Sequence, residues 1–539
     1  MTVRNIAPDF VRPANIADLC NVQWKGRAMA TLDQRVSICR IECRPQDLPA
    51  LARWLTEEVG YAFATLVVEE TTKAAWCLTY VFYKEAGAPW AFLELQVDER
   101  GGSVPSIVGL AIGPSVDWHE REAEDLFGVK FEGHPRLGEF VLHEDWPEGV
   151  NPMRQSFDGR QRLKLRESEP EWRPPTIVVA PGSFAMPVGP VFSDFAEAAH
   201  FLLETVGEDV IHTIPRFFYK YRGVEKIAEG RSVDRVLLIA ERFSGNAAFA
   251  HGLGFCLAIE AICGIAVPAR ARALRTILAE LERLRHHAST ITGICNSTAL
   301  AVATSQAALI EEDLLRLTCE VTRHRYLFGA VVPGGLAWDL TQERCSYLAA
   351  AIQQLAERLD HLHRMLRYSS SFLDRLEQVG LISTEVAVSY GLVGPIARAS
   401  GLTGDMRKLH PYAAYEAADF LVAVEQEGDG YARLRIFFRE AEQSASIIRQ
   451  LLATLPAGDI RSDAADGRAG AALAAVEAPS GAAFHWVRLR QDGTVARYRM
   501  TPPAFTNWHG FHRAAENFAF QDFPIILASF GLSNAECDR

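Results

Sequence analysis

The sequence predicts an α+β protein: a small N-terminal α/β-sheet domain followed by a mainly helical bundle domain with small peripheral β elements. Two observations carry this reading. Residues up to about 150 alternate short β-branched and aromatic runs with a helix, the pattern of one mixed or antiparallel sheet. From about 230 onward, long stretches repeat their apolar residues at helical spacing.

Along the first domain (1–153), Ile38 to Ile41, Ala64 to Val68, Cys77 to Phe82 and Ala91 to Val97 read as strands. Asp47 to Val59 reads as an amphipathic helix, with Leu48, Leu51, Leu55 and Val59 on one face. Residues 154–180 are polar, end in Pro174-Pro175, and read as a linker to the second domain (181–539). Thr176 to Ala180 and Phe201 to Val206 read as strands, separated by Pro187 to Pro190. Helices are expected over Ala248 to Cys263, Arg270 to Thr292, Thr304 to Arg323, Leu340 to Tyr368 and Tyr431 to Ala453. Ala457 to Ala475, rich in Ala, Gly and Asp, reads as a surface loop. Trp486 to Tyr498 reads as a hairpin turning at Asp492-Gly493.

Composition narrows the function. With 539 residues, 49% apolar and 23% charged, the chain is long enough to bury a core without disulfides. Its net charge of −12 argues against a non-specific nucleic-acid binder. None of the ten cysteines pairs as C-x-x-C, so they read as scattered reduced thiols of a cytosolic protein. The N-terminus shows no apolar signal segment. The apolar stretch Ala247 to Pro268 contains His251 and Glu260, and reads as a buried helix rather than a membrane span. Phosphate-binding, dinucleotide, zinc-protease and nucleophile-elbow motifs are absent from the sequence.

Three constellations remain. Trp118 to Gly128 is a densely charged helix ending at a glycine, which composition alone reads as a solvated face. Glu282 and His286 are i,i+4 neighbours in a long helix. They read as a structural contact rather than a metal pair, since no third ligand is in evidence. Gly394 to Gly401, followed by Asp405, Arg407, Lys408 and Pro411-Tyr412, is a loop with several convergent charges.

In order, these segments resemble a known family. Glu120-Arg121-Glu122, Asp125 to Gly128, Gly133-His134-Pro135 and Asp145-Trp146 resemble the 30-kDa-type (C) subunit of proton-pumping NADH–quinone oxidoreductase, complex I. Gly189-Pro190, Arg222 to Lys226, Phe249 to His251 and Glu282-Arg283 with His287 resemble the D-type subunit of the same complex. They equally resemble the large subunit of energy-converting nickel–iron hydrogenases of the formate hydrogenlyase type. Pro333 to Gly335, Gly394-Pro395, Arg398 to Gly401, Asp405, Arg407-Lys408, Glu477 to Pro479 and the terminal Asp538-Arg539 extend that match.

The resemblance implies a fused C/D-type redox subunit on the cytoplasmic side of a membrane. Its partners would be an iron–sulfur small subunit resembling the B-type protein of complex I, together with antiporter-like and H-type membrane proteins. The chain itself would bind no cofactor and no nucleic acid. The iron–sulfur cluster would sit in the small subunit, and a quinone is one acceptor for the cleft between them. Nickel–iron enzymes need two C-x-x-C pairs, because soft thiolates hold both metals. This chain has Ser244 and Ala247 at the first pair and Ser533 and Glu536 at the second, so a metal centre is not expected. The family's quinone-site Tyr corresponds to Gly245. Its His after Gly-Pro corresponds to Phe192, with His200 nearby. Its His beside the iron–sulfur cluster corresponds to Tyr221.

Candidate catalytic residues are Glu225, His251, Asp405 and Arg398; candidate acceptor-binding residues are His200, Gly245 and Tyr221. Glu225 is expected to pass protons as a buried carboxylate of raised pKa. Two other readings stand beside this one: a degenerate scaffold that keeps only the interface, and a binding module for a carrier such as bicarbonate or a polysulfide chain.

Overall fold

The computed structural model describes residues 16–33, 37–71, 75–84, 87–98, 102–167, 176–178, 180–191, 197–462 and 469–539. Phe192 and the Pro174-Pro175 punctuation lie outside the described residues.

The N-terminal sheet has five strands, in the spatial order Ala28–Asp33, Ile38–Cys43, Trp90–Asp98, Ala75–Tyr83 and Ala62–Thr71. Ile38–Cys43 runs parallel to Trp90–Asp98, and the other neighbours are antiparallel. The mixed sheet expected from the sequence is therefore present. The expected helix is also present, as Leu48–Arg53 continuing into wider turns over Trp54–Glu58.

Helix Gly113–Phe127 covers this sheet and stops where Gly128 turns left-handed at φ 79°. Its charged run is not a solvated face. His119, Glu120, Arg121 and Glu122 are all buried, because the helix is clamped between the sheet and the second domain.

The helical domain is built on Ala269–Ser297, which packs against Ala301–Thr322 and Gly430–Ala453; Gln342–Leu366 completes the bundle. Asp429 starts Gly430–Ala453 as an N-cap, accepting the Ala432 N–H at 2.7 Å. Helix Ala248–Cys263 is buried nearly end to end, as its apolar content requires.

Two further sheets flank the bundle. One pairs Ser183–Val188, His200–Val206 and Asp209–Arg216 with the short Phe518–Ala519. The strand expected at Thr176 to Ala180 is not seen among the described residues of that segment. Ile177 and Val178 instead donate their N–H groups to the Glu204 carboxylate, and a strand lies at Ser183–Val188, running into the start of the expected Pro/Gly separator. The other sheet is Gly470–Ala478, Gly481–Leu489 and Val495–Thr501, with the expected turn at Gly493 (φ 78°). Gly470–Ala478 replaces the C-terminal end of the expected surface loop, since its alanines face helix Ala248–Cys263. Residues 463–468 of that loop lie outside the described residues.

The two modules share a core. Trp90 and Tyr83 contact Phe484, Phe92 contacts Trp486, and Thr65 hydrogen-bonds Thr501 at 2.6 Å. No described helix is long and apolar enough to cross a membrane.

Candidate functional site

The candidate residues fall into three buried clusters, with Gly245 on the surface beside the second and His200 outside all of them. The first surrounds Glu225. Gly223, left-handed at φ 63°, turns the chain into the short helix Val224–Ala228 and sends Glu225 inward. Arg497 and Arg499 are two apart on the strand Val495–Thr501, so both face Glu225. Arg497 donates to Glu225 at 2.8 Å, Arg499 at 3.4 Å, Arg539 at 3.2 Å, and the Met500 N–H at 3.1 Å. Arg499 and Arg539 also hold Glu122, at 2.7 and 2.6 Å.

Burial alone would raise the Glu225 pKa. The guanidiniums outweigh it and hold the carboxyl down at about 2. The expected raised pKa is thus reversed: Glu225 is an ionised group in a three-arginine cage. Tyr221 lies beside this cage, against Phe218, with its hydroxyl buried and without a hydrogen-bond partner.

The second cluster surrounds His251. Helix Ala248–Cys263 begins just after the Ser244–Asn246 turn, whose carbonyls at 245 and 246 accept from Arg285. Glu282 caps that helix start by accepting the Phe249 and Ala250 N–H groups at 2.7 and 2.9 Å. Burial pushes its carboxyl up to about 7. Glu282 and His286 therefore do not act as a pair, because His286 turns to the Gly531 carbonyl at 3.0 Å.

Ser244 donates to Glu536 at 3.0 Å, joining segments 292 residues apart. His251 Nε2 lies 3.7 Å from the same carboxylate oxygen, and its Nδ1 is 3.3 Å from His485 Nε2. His485 Nδ1 in turn meets the Tyr498 hydroxyl at 2.9 Å. Gly245 itself is exposed, and a Cβ there would meet open space.

The third cluster holds Arg398 and Asp405. Gly394, at φ 68°, opens the short helix carrying Arg398; a Cβ there would lie 2.2 Å from the Ser480 carbonyl oxygen. That close approach sets Arg398 against Glu477 at 2.8 Å, Glu440 at 2.7 Å and Asp405 at 3.7 Å. Asp405 pairs with Arg407 at 2.7 Å and caps the next turn. His287 meets Glu440 at 2.9 Å. The guanidinium of Arg398 and the imidazole of His287 pull the Glu440 carboxyl far down, while burial and the neighbouring Asp405 charge push Glu477 up.

His200 opens the strand His200–Val206 opposite Arg216 and touches none of these clusters. A cavity of about 360 Å³ lies between the modules, lined by Glu69, Arg488 and Arg497 among others; no candidate residue lines it. Among the described residues, no group of three or more His, Cys, Asp or Glu is arranged to hold a metal ion.

Sequence reasoning missed Arg497, Arg499, Glu440, His485 and Tyr498. One signal was visible: two arginines spaced by two in an otherwise apolar hairpin strand. The others look ordinary until the fold brings them together.

Residues 41–163 match the family described as Respiratory-chain NADH dehydrogenase, 30 Kd subunit. Residues 305–469 and 465–539 match Respiratory-chain NADH dehydrogenase, 49 Kd subunit. The chain is 28% identical over 498 residues to formate hydrogenlyase subunit 5 of Escherichia coli, covering 91% of this chain and 87% of that protein. It is 28% identical over 549 residues to the C/D subunit of NADH-quinone oxidoreductase from Bdellovibrio bacteriovorus, covering 93% and 95%. With the C/D subunit from Acinetobacter baylyi the identity is 26% over 496 residues, covering 83% and 82%.

Proposed function

The chain fuses the 30-kDa and 49-kDa domains of the respiratory-chain NADH dehydrogenase in one polypeptide, and on that premise we propose that it shapes an electron-acceptor cleft beside an iron–sulfur small subunit. As a component of this type, homologous to formate hydrogenlyase subunit 5, it has a peripheral redox role in a larger complex. The observation that carries the finer reading is the Ser244–Glu536 hydrogen bond at 3.0 Å. It joins the two segments where the resembling hydrogenases place their cysteine pairs.

Here those positions hold two hydroxyls, a methyl and a carboxylate. Ser533 donates to Glu197, and Ala247 is packed in the core. Such groups are poor bridging ligands for nickel and iron, which favour thiolates. They suit an organic acceptor that takes electrons from a partner's cluster and protons from nearby acids. The exposed Gly245 turn above Ser244 is the surface such a partner would roof over.

The test is metal analysis of the intact complex, with quinones, protons and a polysulfide offered as acceptors. Quinone reduction without nickel supports the reading. Stoichiometric nickel bound to this chain overturns it.

A further inference from the structure

We propose that Tyr498 and His485 are positioning residues that fix His251 in a single tautomer, aim its Nε2–H at Glu536, and so make His251 and Glu536 the acid–base pair beneath the Gly245 turn. This rests on the acceptor reading above.

The direction of the hydrogen bonds follows from both ends of the chain. Tyr498 is fully buried, and its hydroxyl has one partner, His485 Nδ1 at 2.9 Å. A phenol that accepted from this nitrogen would leave its own proton unbonded in the core, so it donates. His485 then carries its proton on Nε2, which donates to His251 Nδ1 at 3.3 Å. His251 must therefore carry its own proton on Nε2, which faces the Glu536 oxygen at 3.7 Å.

The reverse arrangement points the His251 Nε2 lone pair at a carboxylate, which is repulsive. The two ends thus select the same arrangement. His251 Nε2 is fully buried and has no hydrogen-bond partner, so a small approach of Glu536 or a substrate oxygen completes it.

The packing is built for this. His485 and Tyr498 are diagonal neighbours on one face of the hairpin, since His485 registers with Met500 and Val487 with Tyr498. That face meets helix Ala248–Cys263 at Gly254, where a Cβ would lie 2.4 Å from His485 Cδ2. Only glycine there lets the ring reach His251. Burial and the neighbouring His251 keep His485 neutral, as a fixed tautomer requires. The groups facing the chain are Phe243 against His251, Phe255 against Tyr498, and the more distant Glu225 and Cys256 around Tyr498.

The step itself is a proton transfer. Glu536 relays a solvent proton to an acceptor oxygen as electrons arrive from the partner's cluster, and so returns to the carboxylate that His251 Nε2–H steadies.

The experiment uses the full chain, selectively labelled with ¹⁵N-histidine. The expected spectrum shows the ring proton of His485 on Nε2 and that of His251 on Nε2, with both Nδ1 atoms bare. In Tyr498→Phe, His251 becomes a tautomer mixture while the thermal midpoint changes little. A wild-type His251 protonated at Nδ1 overturns the proposal.

In the assembled complex, Tyr498→Phe should lower acceptor reduction about tenfold and shift its pH–rate profile at unchanged KM. An unchanged profile overturns the catalytic half. If the wild-type complex reduces no acceptor, the acceptor reading falls, and the tautomer result alone decides the positioning.

Discussion

Glu225 is ionised because three guanidiniums meet it in a space that excludes water, and this makes it a structural keystone whatever its part in proton movement. Replacing it in Glu225→Gln leaves Arg499 and Arg539 sharing the Glu122 charge, and removes the carboxylate that Arg497 faces. Breaking a buried pair from one side costs about 3–5 kcal/mol. Urea unfolding should show a loss of that size, and an unchanged midpoint would mean the cage is not structural. Since the folded pKa of about 2 lies below the usual carboxylate value, the stabilisation is present at neutral pH and fades as pH falls from about 4.5 toward 2.

Glu120 shows the opposite sign. Burial pushes it up to about 7, although Tyr80, Ser106 and the Ile107 N–H all donate to it. The folded protein retains this proton after the unfolded chain has lost it, so stability falls as pH rises from about 4.5 to 7. A rise of that size amounts to about 3 kcal/mol. Glu120→Gln mimics the protonated form. The difference between wild type and variant in pH-dependent urea unfolding should show the loss vanish in the variant, and identical curves would refute it.

At the scale of elements, helix ends and glycines decide how the site is built. Asp429 accepts both the Ala432 and Gln378 N–H groups, so Asp429→Ala should cost about 1–2 kcal/mol in thermal or urea unfolding. A variant as stable as wild type would show that water replaces the cap.

The long helices were legible in the sequence because their apolar spacing is sustained over many turns. The charged helix Gly113–Phe127 was misread as solvated because its partners, Arg499 and Arg539, lie hundreds of residues away. The strand Gly470–Ala478 was missed because alanines carry little β signal and hold a strand only against helix Ala248–Cys263. The site was legible in part: Glu225, Arg398, Asp405 and His251 stand in recognisable motifs. The sign of the Glu225 shift was not legible, since it depends on arginines that only tertiary packing delivers.

At the scale of the whole molecule, the two modules are joined by buried contacts rather than by a linker alone. Trp486 is almost fully buried, against Phe92 of the N-terminal sheet. Trp486→Ala should remove about 3–5 kcal/mol and lower the melting of both modules together. Circular dichroism of sheet and helix signals, followed with calorimetry, would check this. Separate transitions, with only one displaced, would show that the modules are energetically independent.

The salt bridge between Glu122 and Arg539 spans 417 residues of chain. At about 5–20 residues per second, a ribosome takes roughly 20–80 s to supply the second partner after the first. For most of that interval the N-terminal sheet is complete, but Glu122 on its charged helix lacks both arginines that hold it. The helix face that carries Glu122 cannot go dry before Arg539 arrives. The nascent N-terminal module must therefore wait open, hydrated or held by a chaperone, and it closes only once residue 539 has been made.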